Sequence, residues 1–188
     1  MDDVLVVGVG GAGCDIARHV HALVNGRIVA INTDCKGLEN SGITERLLLG
    51  PLLCGGNGAF TPNQGMQAAE ESREALCSLM QGSRQLVLLA GFGGATGTGA
   101  VPVIAQIAIF LGLEVCVAIT LPFAFEAARR EAALKGLEDL RSLGLSVLVH
   151  DHAEAIEVVD RSADFGLIEI LETAGKVLAP AVSRQISH

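Results

Sequence analysis

The run Gly91-Phe92-Gly93-Gly94-Ala95-Thr96-Gly97-Thr98-Gly99 decides how this sequence is read. It leaves an apolar segment, residues 86–90, and enters a second, residues 100–111. A strand, a glycine-rich loop and a helix in that order form a device for holding phosphate. Glycine lets backbone N–H groups come close to an anion. The helix that follows points its positive end at the same place. Thr96 and Thr98 add hydroxyl donors. Five glycines in nine residues cost too much chain entropy to be idle.

A second loop of this kind lies near the N-terminus. Gly8, Gly10 and Gly13 spell G-x-G-x-x-G after the apolar strand 4–9, and residues 14–23 follow with helical apolar spacing. Asp34 closes the next strand, 27–31, about twenty residues on, the place of a ribose-binding carboxylate in a dinucleotide fold. That reading, an NAD(P)-linked oxidoreductase, leaves the loop at 91–99 unexplained. Neither loop contains lysine, so neither is the G-x-x-x-x-G-K-[ST] phosphate loop. Phosphate charge would be balanced by backbone dipoles, Mg²⁺ and Arg130.

The remaining segments alternate. Strands are expected at 47–49, 86–90, 114–120 and 146–149. Helices are expected at 64–80, 98–111, 125–143, 152–159 and 165–185, and residues 50–63 read as a long loop. The pattern gives one α/β domain over residues 1–188: a doubly wound parallel sheet, Rossmann-like, in three layers. Half of the 188 residues are apolar and the mean hydropathy is +0.48, which suits strands buried on both faces. A net charge of −8, with no Trp or Tyr, argues against nucleic-acid binding. The apolar region 100–125 is interrupted by Gln106, Gly112, Glu114 and Pro122, so membrane insertion is not expected. Five cysteines without metal-ligand spacing fit a reducing cytoplasm.

These motifs resemble the tubulin/FtsZ GTPases, and FtsZ more than tubulin. The run 91–99 is similar to the family's signature loop G-x-G-G-G-T-G-T-G, with Ala95 in place of one glycine. Gly10-Gly11-Ala12-Gly13 with Cys14 resembles its first phosphate loop, with Asp15 where Asn is usual. Ala30-Ile31-Asn32-Thr33-Asp34 resembles its second loop, Gly55-Gly56-Asn57-Gly58-Ala59 its third, and Pro122-Phe123-Ala124-Phe125-Glu126 its ribose-contacting segment. The resemblance runs to about residue 186. It implies a GTP/GDP-binding domain, with Mg²⁺, whose contacts come from Gly10 to Asp15, Asn32, Asp34, Gly93, Gly94, Ala95, Thr96, Gly97, Thr98, Glu126 and Arg130. Glu126 would bond the ribose and Arg130 would sit beside the nucleotide. The guanine contacts of the family fall near Asp151 and near Lys176.

The family assembles head to tail and hydrolyses GTP where subunits meet, using carboxylates of an Asn-x-Asp-x-x-Asp loop that this sequence does not contain. Strong binding with weak hydrolysis is therefore expected of the chain alone. The core helix 165–186 carries an apolar stripe of Leu167, Leu171, Ala174, Leu178 and Val182. In a two-domain relative that helix is sandwiched, so here self-association is expected, or association with a full-length FtsZ-like relative, through this helix or the nucleotide face. Packing of the stripe on the domain's own sheet is the competing reading. A scaffold that has lost its nucleotide is a further alternative.

Overall fold

The computed structural model describes residues 3–154 and 167–186, with the backbone alone for 167–172. Six strands, β1 (Val4–Val9), β2 (Arg27–Asn32), β3 (Arg46–Leu48), β4 (Gln85–Gly91), β5 (Glu114–Leu121) and β6 (Val147–Asp151), form one sheet in the order β3-β2-β1-β4-β5-β6. Every pairing is parallel. The order reverses between β1 and β4, and ligands bind outside the carboxyl ends of strands at such a switch point. Both glycine loops leave the sheet there.

Successive side chains of a strand face opposite sides, and both sides are covered. Leu5, Val7 and Val9 of β1 face a core shared with α3 (Pro62–Glu71), α4 (Arg73–Met80), α5 (Ala95–Phe110) and α6 (Ala127–Ser142). Val4 and Val6 face a second core with α1 (Gly10–His21), α2 (Cys35–Asn40) and α7 (Leu167–Ile186). The three-layer doubly wound fold read from the sequence is the fold observed.

Local differences have physical causes. The expected single helix 64–80 breaks at Ser72, whose hydroxyl accepts the Gly50 amide at 2.9 Å. Helix α2 had not been expected. It is one and a half turns long, it buries Leu38, and the Asp34 carboxylate caps it through the Lys36 amide. Helices α1 and α5 begin at Gly10 and Ala95, not at residues 14 and 98, because the glycine loops supply their first turns.

The apolar stripe of the core helix is covered wherever its side chains are described. Ala174, Leu178 and Val182 are buried, the latter two in the second core, and α7 lies on α1, β5 and β6. The described part of the stripe thus packs on the domain itself, the competing reading, while Val177, on the neighbouring face, is half exposed. Leu167 and Leu171 fall outside the described side chains, as do residues 155–159 of the expected short helix. The helix passes through Pro180 without a break.

Helices α3 and α5 meet through glycine. A Cβ on Gly99 would lie 1.9 Å from the Pro62 carbonyl oxygen, and one on Gly65 would lie 2.3 Å from that of Ala95. Gly99→Ala therefore destabilises the fold by about 1–3 kcal/mol, the usual cost of overpacking. Urea unfolding measures it, and a change under about 0.5 kcal/mol would show that the helix contact is loose.

Candidate functional site

Two helix N-termini converge at the switch point. Val9 and Gly94, the N-cap residues of α1 and α5, are extended and make no side-chain cap bond. By contrast, α2 and α3 are capped by Asp34 and Thr61. The opening N–H groups of α1 and α5 are thus left without a side-chain acceptor, and neither first turn holds an acidic residue. Both face a cleft of about 290 Å³ lined by Gly10, Gly11, Ala12, Gly94, Ala95, Thr96 and Gly97, with Asn32, Thr120, Glu126, Arg129 and His152. Donors and dipoles aimed into one cavity make an anion site.

A second lobe of about 690 Å³ adjoins the first. Asp15, Ile16, Arg18 and His19 of α1 line it, facing Ala174, Gly175 and Lys176 of α7. The two lobes share Gly11, Ala12, Thr120 and His152.

Hydrogen bonds separate the two threonines of the signature loop. The Thr98 hydroxyl is buried and accepts the Gly93 amide at 2.7 Å, which staples the loop to its own helix. Thr98 is not among the residues lining the cleft, and the bond from Gly93 leaves its hydroxyl proton unassigned. Thr96 lines the cleft, and its hydroxyl lies 2.7 Å from that of Thr33. Thr33 is fully buried and already accepts the Ala59 amide at 2.8 Å. Donation from Thr33 to Thr96 satisfies the Thr33 proton and leaves the Thr96 proton for a ligand. Thr33 links the second, third and signature loops. Its only sign in the sequence was its place inside Asn32-Thr33-Asp34.

Other expected residues take up different work. Arg130 is not in the cleft lining: its guanidinium pairs with the Asp151 carboxylate at 2.8 and 2.6 Å and donates to the Pro122 carbonyl at 2.7 Å. Its neighbour Arg129 lines the cleft and pairs with Glu126. Asp151, expected near the guanine, is occupied by Arg130 and by the Ala153 amide, and the Arg130 hydrogen bond holds its carboxyl below the usual range. The Cys14 side chain faces the second core and donates to the Gly8 carbonyl, and burial pushes its thiol up to about 11, which disfavours the thiolate. Gly13 is a packing residue, since a Cβ there would lie 2.2 Å from the Leu89 carbonyl oxygen. Gly93 (φ +96°) turns the loop against Pro122 and Arg129. Asp34 caps α2 and bridges Asn57, away from the lining of either lobe, which leaves the dinucleotide reading without its ribose carboxylate.

His152 follows Asp151, near which the family resemblance places a guanine contact. It is buried between Phe123 (ring centroids 5.0 Å apart) and His150 (5.5 Å). Burial, then the neighbouring His150, lowers it to about 4, so the ring is neutral at pH 7.

The sequence profile of the Tubulin/FtsZ family, GTPase domain, matches residues 3–160. The cell division protein FtsZ of Neisseria meningitidis is 33% identical over 195 aligned positions, covering 92% of this chain and 49% of that protein. Among solved structures, an empty FtsZ dimer from M. jannaschii superposes with a TM-score of 0.86 at 33% identity, over 97% of this chain and 54% of that one. A GTPγS-bound protofilament of CetZ2 from Haloferax volcanii gives 0.83 at 25%, over 97% and 57%. The chain belongs to the tubulin/FtsZ family and spans about half the length of the relatives it matches.

The Arg130–Asp151 pair ties α6 to the ends of β5 and β6 beside the cleft. Asp151→Asn costs about 1–3 kcal/mol near neutral pH, the range for a charged hydrogen bond. The Asp151 carboxyl is depressed by folding, so its contribution is complete above the unfolded value, about 3.9, and is lost as pH falls through the folded one. Unfolding curves of wild type and variant should converge below about pH 4. A gap independent of pH would show that the pair's charge is irrelevant.

Proposed function

We propose that this chain, a member of the tubulin/FtsZ GTPase family, binds GTP and GDP across the two lobes and acts through nucleotide-dependent association. The observation that carries the reading is the pair of uncapped helix N-termini, α1 and α5, facing one cleft with no acid in either first turn. The phosphates lie in that lobe, where Thr96 donates its free proton and backbone amides supply the remaining bonds. The base lies in the lobe between α1 and α7. A bound Mg²⁺ would take its oxygens from phosphates and water, since the described residues hold no cluster of three His, Cys, Asp or Glu.

Weak hydrolysis by the chain alone follows from the lining. Cleavage of the terminal phosphate requires an oriented water as well as charge stabilisation. Glu126 is the one carboxylate among the described residues lining the phosphate lobe, and its two oxygens are taken by Arg129 and the Phe123 amide. Groups that orient the water would come from a second subunit. The nucleotide face suits such a contact: the loop after β3 carries Leu52 at 90% and Phe60 at 84% exposure, and its Ala59 amide is bonded to Thr33 beside the cleft. The partner is a second copy or a full-length FtsZ-like relative, and the reaction belongs in the cytoplasm.

Calorimetry with GTP, GDP, ATP and NAD, with and without Mg²⁺, tests the reading. GTP and GDP should bind and NAD should not; NAD binding without GTP, or no binding at all, would overturn it. Thr96→Val should weaken GTP binding about five- to tenfold, the worth of one hydrogen bond. Unchanged affinity would remove the Thr96 hydroxyl from the site. Turnover per molecule should be low and should rise with protein concentration. A rate that does not depend on concentration would contradict assembly-linked hydrolysis.

A further inference from the structure

The two lobes are joined by Gly11, Ala12, Thr120 and His152, so only Thr120 and His152 bring polar side chains to the seam. In a nucleotide, the part between phosphates and base is the sugar. If the triphosphate rests on the helix N-termini, as proposed above, the ribose hydroxyls lie along this seam.

His152 is built into it in an unusual way. Its ring is 95% buried, being 5% exposed, and is held by Phe123 and His150. Nε2 has no hydrogen-bond partner among the described residues, and the influences on the ring are burial and nearby charges, with no hydrogen bond among them. Buried polar atoms are almost always paired, and Nε2 of His150 is orphaned as well; of the two rings only that of His152 lines the cleft, where a ligand is the partner that could reach it. No hydrogen bond among the described residues fixes which nitrogen-bearing edge of the ring faces the seam. A neutral imidazole offers one donor and one acceptor, the complement of a hydroxyl. Glu126, the ribose contact implied by family resemblance, lines the phosphate lobe alone and is already bonded to Arg129 and Phe123.

We infer that His152 is the ribose-reading residue of this chain: its imidazole, clamped between Phe123 and His150 at the seam, hydrogen-bonds a sugar hydroxyl of the bound nucleotide. This rests on the nucleotide-binding reading and adds a preference for ribose over deoxyribose that helix dipoles aimed at phosphate do not supply.

The test compares GDP with 2′-deoxy-GDP and 3′-deoxy-GDP by calorimetry. Wild type should bind at least one deoxy analogue about five- to tenfold more weakly. His152→Phe keeps the ring stack and removes the nitrogens; it should bind all three equally, and His152→Gln should keep part of the preference. Equal binding of all three by wild type overturns the inference while leaving the GDP site intact, and so does a deoxy penalty that persists in His152→Phe. Failure of wild type to bind GDP overturns both readings. A second measurement needs no variant. The imidazole ¹⁵N shifts of His152 should move with GDP but not with a 2′,3′-dideoxy analogue; identical responses would refute the contact.

Discussion

The nucleotide end of this molecule depends on how closely the backbones of α1 and α5 lie against the strand ends beneath them. A Cβ on Gly13 would meet the Leu89 carbonyl oxygen at 2.2 Å, one on Gly97 that of Gly91 at 2.5 Å, and one on Gly8 that of Gly13 at 2.7 Å. None of these three has positive φ, so glycine is needed there for space and not for conformation. Any side chain would lift a helix off the sheet and draw its opening N–H groups out of the cleft. Gly10 (φ +72°) and Gly93 (φ +96°) do the other job: they turn the chain where an L residue is strained. The glycine pattern is therefore two patterns superimposed. One sets the height of the helices above the sheet, and the other sets the direction from which they enter.

That superposition explains what the sequence disclosed and what it withheld. Strands buried on both faces write themselves as apolar runs, so β1, β4 and β5 were legible to within a residue or two, and with them the parallel sheet. The family was legible because a nine-residue loop is specific. The division of labour inside the loops was not. Thr96 and Thr98 are chemically alike and two apart, yet one faces Thr33 and the cleft while the other closes on Gly93. Arg129 and Arg130 are identical neighbours, and only the position of Asp151, 21 residues from Arg130, decides which of them leaves the site. The core helix shows the same limit: a stripe at helical spacing states that it is covered, and only the fold names α1 as a cover. Long-range partners choose among equivalent side chains, and a single sequence does not name those partners.

The charge pattern around the cleft has a consistent logic. Each arginine there is matched by a carboxylate: Arg18 by Asp15, Arg129 by Glu126 and Arg130 by Asp151. These pairs fix geometry and leave little net positive charge to attract a triphosphate. The chain as a whole, at −8, repels polyanions at long range. Attraction must act at short range, through amide dipoles in a narrow cavity where solvent screening is weak. Such a site discriminates by shape and hydrogen-bond count rather than by field.

The same economy bears on assembly. The carboxylate of the cleft, Glu126, is already bonded, and the exposed Phe60 follows Ala59, whose amide is bonded to Thr33 next to Thr96 of the cleft. A partner seated there would bury apolar surface and could supply the group that orients water. Burial of the rim and completion of the site would then be one event, and nucleotide state would report directly on association. A closed, self-sufficient active site on the same fold would have no reason to couple the two.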